Sequence, residues 1–257
     1  SLFMGSVLVL CAQEDREIER WMSMDLEELS QVRLVSVSVG KKNLSMMESP
    51  GIVSLITEND IENSGARDLI DLLRMVPGFD FGVDVESSIG LGVRGNWAYE
   101  GKVMVLLDGQ ELNDLLYATF PFGARIPLDQ IARIEIIRGP GSSIYGGFAE
   151  LAVVNIVSKI DPGSLKTELS ARYGQMSESF ARRSLTLTTG GGVGALSIGL
   201  GVSAGQGRRS QLTFRDFYGG SYDMKDGSGL SSLMVNLVLK YKGFNTRYIL
   251  DYYGFRQ

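Results

Sequence analysis

Gly90-Leu91-Gly92-Val93-Arg94-Gly95 fits G-x-G-x-x-G, the spacing with which a glycine loop brings its backbone up to a dinucleotide pyrophosphate. That chemistry needs a helix to begin at the loop, so that its first N–H groups meet the phosphate. Here Asn96–Lys102 follow and then a β-rich run, too short a stretch for a crossover helix. Gly95 and Gly101-Lys102 form a second near miss. Five residues separate the two glycines where a Walker A loop has four, and Val103 stands where that loop needs a magnesium-binding hydroxyl. The chain has no histidine, which removes Ser-His-Asp and Cys-His catalysis and histidine-ligated metals. Its one cysteine, Cys11, removes intrachain disulfides and thiolate metal clusters. No catalytic residue, metal site or cofactor is expected, and no enzyme.

The elements that carry these residues follow from composition and periodicity. The 257 residues suffice for one large domain or two ordinary ones. With 44% apolar and 21% charged residues the chain is not disordered, and no apolar run reaches the ~18 residues of a spanning helix. Glycine is abundant, at 32 residues, which points to turns and close backbone approaches. Charge divides the chain: residues 1–160 hold 13 Lys and Arg against 23 Asp and Glu, residues 161–257 hold 12 against 7. An acidic piece followed by a basic one suggests two structural parts. The net charge of −5 argues against a general nucleic-acid binder.

Leu2–Leu10 is apolar and is closed by Cys11-Ala12, which resembles the core and cleavage site of a secretory signal without its basic start. The other reading is a buried first strand. Cys11 is a poor lipidation site, because Leu10 is large. Gln13–Gln31 reads as an acidic linker. Val32–Val39 alternates as an extended segment, and Ile52–Ile56 is a second β-like run. Thr57 and Asp60 have capping-box spacing, with Gly65 as a stop. Leu69, Leu72, Leu73 and Val76 share one face of a short helix that Pro77-Gly78 ends. Val103–Leu107 runs into an Asp108-Gly109 turn, and Ile134–Ile137 and Val153–Val157 are further strands around a glycine-rich bend. Together these make an α+β unit.

From residue 161 the pattern changes. Leu165 to Tyr173, Leu196 to Ala204, Leu233 to Leu239 and Phe244 to Tyr252 alternate apolar with small, polar or charged residues, with a weaker run around Leu185 and Leu187. Each run is about ten residues, the length a tilted strand needs to cross a bilayer. A soluble sandwich would have shorter strands and a bulkier hidden face. Connections alternate too: short at Gly190–Gly194, long at Gln206–Leu230, short at Lys242-Gly243. The expected fold is an α+β domain followed by the first antiparallel strands of a transmembrane β-barrel. Five strands do not close a barrel whose smallest bacterial forms use eight, so the chain is expected to be the N-terminal part of a longer protein.

Ile137–Lys159 (IRGPGSSIYGGFAELAVVNIVSK) resembles the end of the plug domain of TonB-dependent outer-membrane receptors. Ser49–Thr57, Ser64–Phe79, Val93–Gly95 and Val105–Gly109 add to the resemblance, which is strong over residues 32–160. Leu151-Ala152 depart from it, standing where the family usually has Gly-Gly. The resemblance implies a signal remnant at 1–12, a linker at 13–31, a plug at 32–160 and the opening strands of an outer-membrane barrel of about 22 strands from 161 to 257. It further implies energy-coupled import of a scarce nutrient, most simply a ferric siderophore, a similar metal chelate or cobalamin. The plug would fill the barrel with its N-terminus facing the periplasm, and TonB with its inner-membrane energising complex would pull it open. Arg33, Leu34, Val35, Ser36, Val37, Ser38 and Val39 are the candidate TonB box, since an extended segment can add a strand to a partner sheet; the other reading is a fixed plug strand.

Plug-motif and plug–barrel contact residues implied by the resemblance are Arg94, Gly95, Asp108, Gly109, Arg138, Gly139, Pro140, Tyr145, Gly146 and Asn155. Arg94 and Arg138 either face acidic groups on the barrel wall or brace turns within the plug. Candidate substrate contacts are Trp97, Tyr99, Tyr117 and Phe120 on plug turns, and Arg208, Arg209, Phe217 and Tyr218 on the long loop. Basic and aromatic residues there suit an anionic aromatic ligand, the phosphates of outer-membrane lipid, or loop packing alike. Two other classes stay open: a non-transporting barrel such as an adhesin or porin, and a soluble periplasmic binding module.

Overall fold

The computed structural model describes residues 37–39, 42–44, 52–83, 89–98, 100–120, 122–139 and 145–255. The chain separates into two units, Ser1–Pro50 and Gly51–Gln257. In the first, β1 (Val37–Val39) pairs antiparallel with β2 (Lys42–Leu44), Val37 opposite Leu44. Arg33–Ser36 and the segments read as a signal remnant and linker lie outside the described residues.

The second unit opens with β3 (Ile52–Thr57) and α1 (Glu58–Asn63). Thr57 caps the helix as its spacing predicts: the Asp60 N–H donates to Thr57 Oγ1 at 3.2 Å, and the Thr57 N–H donates to the Asp60 carboxylate at 2.8 Å. Asp68 caps α2 (Leu69–Leu73), which buries Leu69, Ile70, Leu72 and Leu73. Pro77-Gly78 then turns the chain, Gly78 at φ 85°. Gly90–Val93 of the glycine run lie on β5 (Ile89–Val93), between β4 (Phe79–Val83) and β6 (Asn96–Trp97). A turn at Arg94-Gly95, φ 52° and 78°, follows where a phosphate loop would start a helix.

Strands β7 (Val103–Leu107), β8 (Gln110–Glu111), β9 (Ile131–Arg138) and β10 (Ala152–Ser158) join β3 in one sheet of order β3-β9-β10-β7-β8. β7 and β10 are parallel, so the chain between them must leave one end of the sheet and return. On one face Ile134, Ile136, Val154, Ile156 and Val105, all fully buried, meet Leu72 and Leu73 of α2. Each such side chain contributes roughly 1.5–3 kcal/mol by burial. The Asp108-Gly109 turn joins β7 to β8 with both residues at positive φ (49° and 81°), the twist a two-residue hairpin needs.

Five long strands then form a consecutive antiparallel sheet: β11 (Thr167–Gln175), β12 (Phe180–Val193), β13 (Leu196–Arg208), β16 (Gly229–Tyr241) and β17 (Phe244–Phe255). Between β13 and β16 the long connection holds the hairpin β14 (Thr213–Arg215) and β15 (Ser221–Asp223) and the single turn α3 (Met224–Gly227). Alternation and register agree. Leu185, Ala204, Leu233 and Tyr252 form one row across the outer face, Leu187, Val202, Val235 and Leu250 the next, and Val193, Leu196, Tyr241 and Phe244 the last. From Leu185 to Val193 is about 27 Å along the strand, or about 21 Å at a tilt of ~40°, close to the apolar band of ~25 Å on outer-membrane barrels.

The connection read at Gly190–Gly194 is shorter in the structure. Gly190, Gly191 and Gly192 continue β12, and the reversal falls after Val193, with Gly194 at φ 62°. Gly190 is in the strand for another reason, which the inner face reveals.

Candidate functional site

The inner face of the strand sheet is small, polar and charged on β11 to β13 and adds Leu230, Met234, Val238 and Ile249 on β16 and β17; the α+β part lies directly against it, its core reaching Met234 and Ile249. Gly190, Gly199 and Gly201 form a trough for the chain that leaves β10. A Cβ at Gly190 would stand 2.1 Å from the Asp161 carbonyl oxygen and 2.8 Å from that of Ser164. One at Gly199 would meet Ile160 Cγ2 at 2.8 Å, and one at Gly201 would meet Ile160 Cδ1 at 2.5 Å. Glycine in a strand interior weakens the strand and marks just such a close approach.

Around this trough the two parts are joined by ion pairs. Arg182 Nη2 reaches Asp68 at 2.6 Å while its Nη1 donates to the Arg67 carbonyl. Arg172 Nε donates to both oxygens of Asp129, at 3.0 and 2.9 Å. Arg247 pairs with Asp108, and Arg125 Nε donates to Asp251 at 2.9 Å. Lys159 sits between Glu58 at 2.6 Å and Glu168 at 3.6 Å. Burial pulls the Lys159 ammonium down, but the hydrogen bond to Glu58 and the charge of Glu168 outweigh it and hold the group above the usual lysine value. Gln130 Nε2 donates to the Leu187 carbonyl at 3.2 Å. A cavity of about 60 Å³ lies beside Asp68, Asp129, Arg172 and Arg182, with room for water. Three of these pairs follow the charge asymmetry of the sequence, Asp68, Asp129 and Asp108 meeting arginines of the strand sheet, while Arg125–Asp251 and Lys159–Glu168 run the other way.

Asp108 is the most connected of these groups. It also accepts from the Ser158 N–H at 2.7 Å and the Ser158 hydroxyl at 2.6 Å, closing the end of β10 onto its own turn. Gly109 supplies the second left-handed position of that turn. Of the two arginines, Arg138 reaches within the α+β part, donating to the Pro77 carbonyl at 2.7 Å and to Ser54 Oγ at 3.0 Å. Arg94 is an exposed turn residue whose N–H donates to the Gly78 carbonyl at 2.7 Å. Gly95, Gly139 and Gly146 all adopt positive φ. Tyr145 is half-buried beside Gly146, and Asn155 is buried with its Nδ2 on Glu135 at 2.9 Å. Pro140 lies outside the described residues. At the departure from the family pattern, the Leu151 N–H donates to the Lys102 carbonyl and Ala152 is fully buried at the head of β10.

Residues 97–98 and 100–101 and the turns at 114–119 and 146–149 meet at the opposite end of β7 from Asp108. Gly101 donates to the Ala118 carbonyl, and a Cβ there would touch Phe148 and Ala118. Trp97 is half-exposed over Gly82, and Tyr117 is exposed. Phe120 is buried in the core, edge-on to Phe122 at 5.0 Å with the Arg125 guanidinium over its ring. Tyr99 lies outside the described residues. Leu115 and Leu116 escaped the sequence reading and are the most exposed leucines of this end, at 101% and 78%. Their signal was three consecutive apolar residues after Asn113-Asp114, in a stretch too short for a core strand. Asp114 fixes the turn by accepting from Thr119 and from the N–H groups of Leu116 and Tyr117, and these bonds hold its carboxyl down at about 2. A depressed carboxylate contributes stability above its unfolded value that is lost as pH falls through the folded one.

On the long loop Phe217 and Tyr218 are almost fully exposed at the tip of the β14–β15 hairpin, ring edge to ring face at 5.7 Å. Arg209 follows β13 and its N–H donates to the Ser228 carbonyl. Arg208 takes an outward position at the end of β13, its guanidinium 4.8 Å from the Phe180 ring.

Residues 45–153 match the family description TonB-dependent Receptor Plug Domain. The chain is 28% identical over 177 residues to the vitamin B12 transporter BtuB of Vibrio vulnificus (strain CMCP6), covering 67% of this chain and 28% of that protein. Among solved structures it resembles the siderophore receptor PirA of Acinetobacter baumannii, with a TM-score of 0.58 at 21% identity over 81% of this chain and 32% of the other. PirA of Pseudomonas aeruginosa gives 0.55 at 22% identity, over 80% and 36%. The chain therefore spans about a third of the length of these relatives.

Proposed function

Because the chain carries the plug domain and opening barrel strands of a TonB-dependent receptor, we propose that it belongs to an outer-membrane importer of a scarce, bulky nutrient. A ferric siderophore, a related metal chelate or cobalamin fits that class, in line with the siderophore and vitamin B12 proteins it resembles. One observation carries this reading. The plug is seated on the strand sheet by ion pairs and a glycine trough beside a water-sized cavity, with apolar contact confined to a patch around Met234 and Ile249. Surfaces joined by charge can separate into water, because each exposed ion regains its hydration. A plug held so can be drawn aside.

In this reading the plug runs from 32 to 160 and the barrel strands begin at 161. The end bearing the 209–228 loop faces outward, and the Asp108 turn, near the short 242–243 turn, faces the periplasm. Trp97, Tyr117, Leu115 and Leu116 at the outward end of the plug, with Phe217 and Tyr218 on the loop, would meet the cargo. Arg33–Val39 would be the segment that TonB captures by strand addition, Val37–Val39 being already extended. Replacing Val37 by proline removes a main-chain donor from that segment. Uptake of the cargo by whole cells is expected to fall to background while its binding at the surface is unchanged. Uptake at the wild-type rate would refute the assignment of the box.

A further inference from the structure

We infer that Lys42–Leu44, which lie outside the candidate box, are a working part of it: β2 backs β1 as a hairpin, and TonB adds its strand to the opposite edge of β1, at Ser38. The two strands run antiparallel, with Val37 opposite Leu44, Ser38 opposite Asn43 and Val39 opposite Lys42. Only Gly40 and Lys41 separate them. A two-residue connection makes the closing pair, Val39 and Lys42, exchange both main-chain bonds, and antiparallel alternation then leaves Ser38–Asn43 unbonded and Val37–Leu44 bonded. The N–H and C=O groups of Val37 and Val39 are therefore turned to β2. Those of Ser38 are turned away, onto an edge that no described strand covers, since this sheet has two strands.

A lone two-stranded hairpin is marginally stable in water, and a third strand is what such a unit lacks. Joining at Ser38 adds a ladder and breaks none, whereas a strand that displaced β2 would first have to undo the bonds of Val37 and Val39. The other edge of the hairpin, at Asn43, is a poorer place to join. Lys41 and Lys42 are next to it in sequence, and lysine is a residue with which sheet edges are closed to other chains. From Val35 to Val39 the chain is Val and Ser alone. The backing strand also lowers the cost of capture. Fixing an extended backbone loses conformational entropy at every residue, and in the hairpin that loss is met for Val37–Val39 before the partner arrives. The inference rests on the reading of Arg33–Val39 as the segment that TonB captures.

The test measures binding of the purified periplasmic domain of TonB to the complete receptor in mild detergent, by biolayer interferometry, with single main-chain donors removed by proline. Ser38→Pro removes the donor that faces the partner, and binding is expected to fall by about tenfold or more. Leu44→Pro lies outside the box and breaks only the pair with Val37. Loss of the backing should weaken binding about tenfold, as the loss of one or two main-chain bonds implies. Asn43→Pro, whose N–H faces away from β1, is the control and should bind as the wild type does. Wild-type or tighter binding by Leu44→Pro, with Ser38→Pro still weak, overturns the inference and leaves the box standing; the tighter case would make β2 a competitor of the partner. Equal weakening by Asn43→Pro and Leu44→Pro overturns it too, since the effect would then not depend on the edge that the donor faces. Wild-type binding by both Ser38→Pro and Val37→Pro overturns the box and the inference together.

Discussion

Alanine at Gly190 is expected to loosen the plug from the wall. The new Cβ would stand 2.1 Å from the Asp161 carbonyl oxygen and 2.8 Å from that of Ser164, both main-chain atoms that cannot swing aside as a side chain would. Either β12 must bend outward, against its ladders with β11 and β13, or the Ile160–Ser164 segment must lift from the trough. Overpacking costs typically 1–3 kcal/mol, and a main-chain collision belongs at the upper end, about 3 kcal/mol. That is about a hundredfold in the population with the segment lifted. Limited proteolysis of the complete receptor should therefore cut within residues 159–166 far faster in Gly190→Ala than in wild type. Gly227→Ala, where a Cβ meets nothing within 4 Å, is the matched control and should cut at the wild-type rate. Equal cleavage of the two variants would mean that the linker does not bear on the wall.

This trough leaves no local trace in the order of the residues. Three consecutive glycines at 190–192 are the composition of a turn, and a single sequence offers no way to tell a turn from a strand that must let another backbone approach. The distinction lies in residues 160–164, far away in order and adjacent in space. By contrast the alternation of Leu233–Leu239 or Phe244–Tyr252 needed no partner to be read, because a bilayer outside and a wet interior inside impose period two on each strand alone. The Thr57–Asp60 capping box and the Asp108-Gly109 turn were legible for the same reason: each is satisfied by atoms within a few residues. The ion pairs themselves were not legible. Acidic and basic halves marked two structural parts, and matching Asp68 to Arg182 across 114 positions, or Asp129 to Arg172, required the fold. Arg138 lies within hydrogen-bond reach of the Pro77 carbonyl, a contact whose sign no charge pattern could suggest.

Asp108 offers the sharpest test of how plug and barrel are coupled, because its two substitutions should separate two functions. Its carboxylate accepts from the Ser158 N–H and hydroxyl, and pairs with Arg247 on β17. Alanine would leave three donors without their acceptor in a place where the side chains of Asp108 and Arg247 are only 14% and 17% exposed. It would also put a residue with no local hydrogen bond at φ 49°. Orphaning a buried charge costs about 3–5 kcal/mol when one partner of an ion pair is removed, and the lost turn adds to that. Asparagine differs. It tolerates the left-handed conformation and keeps one carbonyl oxygen for the Ser158 N–H, so the hairpin and the end of β10 should survive. What it loses is the charge that holds Arg247. Asp108→Asn should therefore leave the plug folded but weaken its seat by about 1–2 kcal/mol, partial exposure of the pair setting the lower figure. Urea titration of the complete receptor, read from a spin label in the plug and another in the barrel, resolves the two. Alanine is expected to lower the midpoint of the plug signal sharply and asparagine modestly, while the barrel signal stays fixed in both. A second substitution, Arg247→Gln, should then cost almost nothing further in the asparagine background, since the partner it loses is already gone. A full additional loss there would show that Arg247 holds the plug through another group, and the pairing with Asp108 would not be the tether.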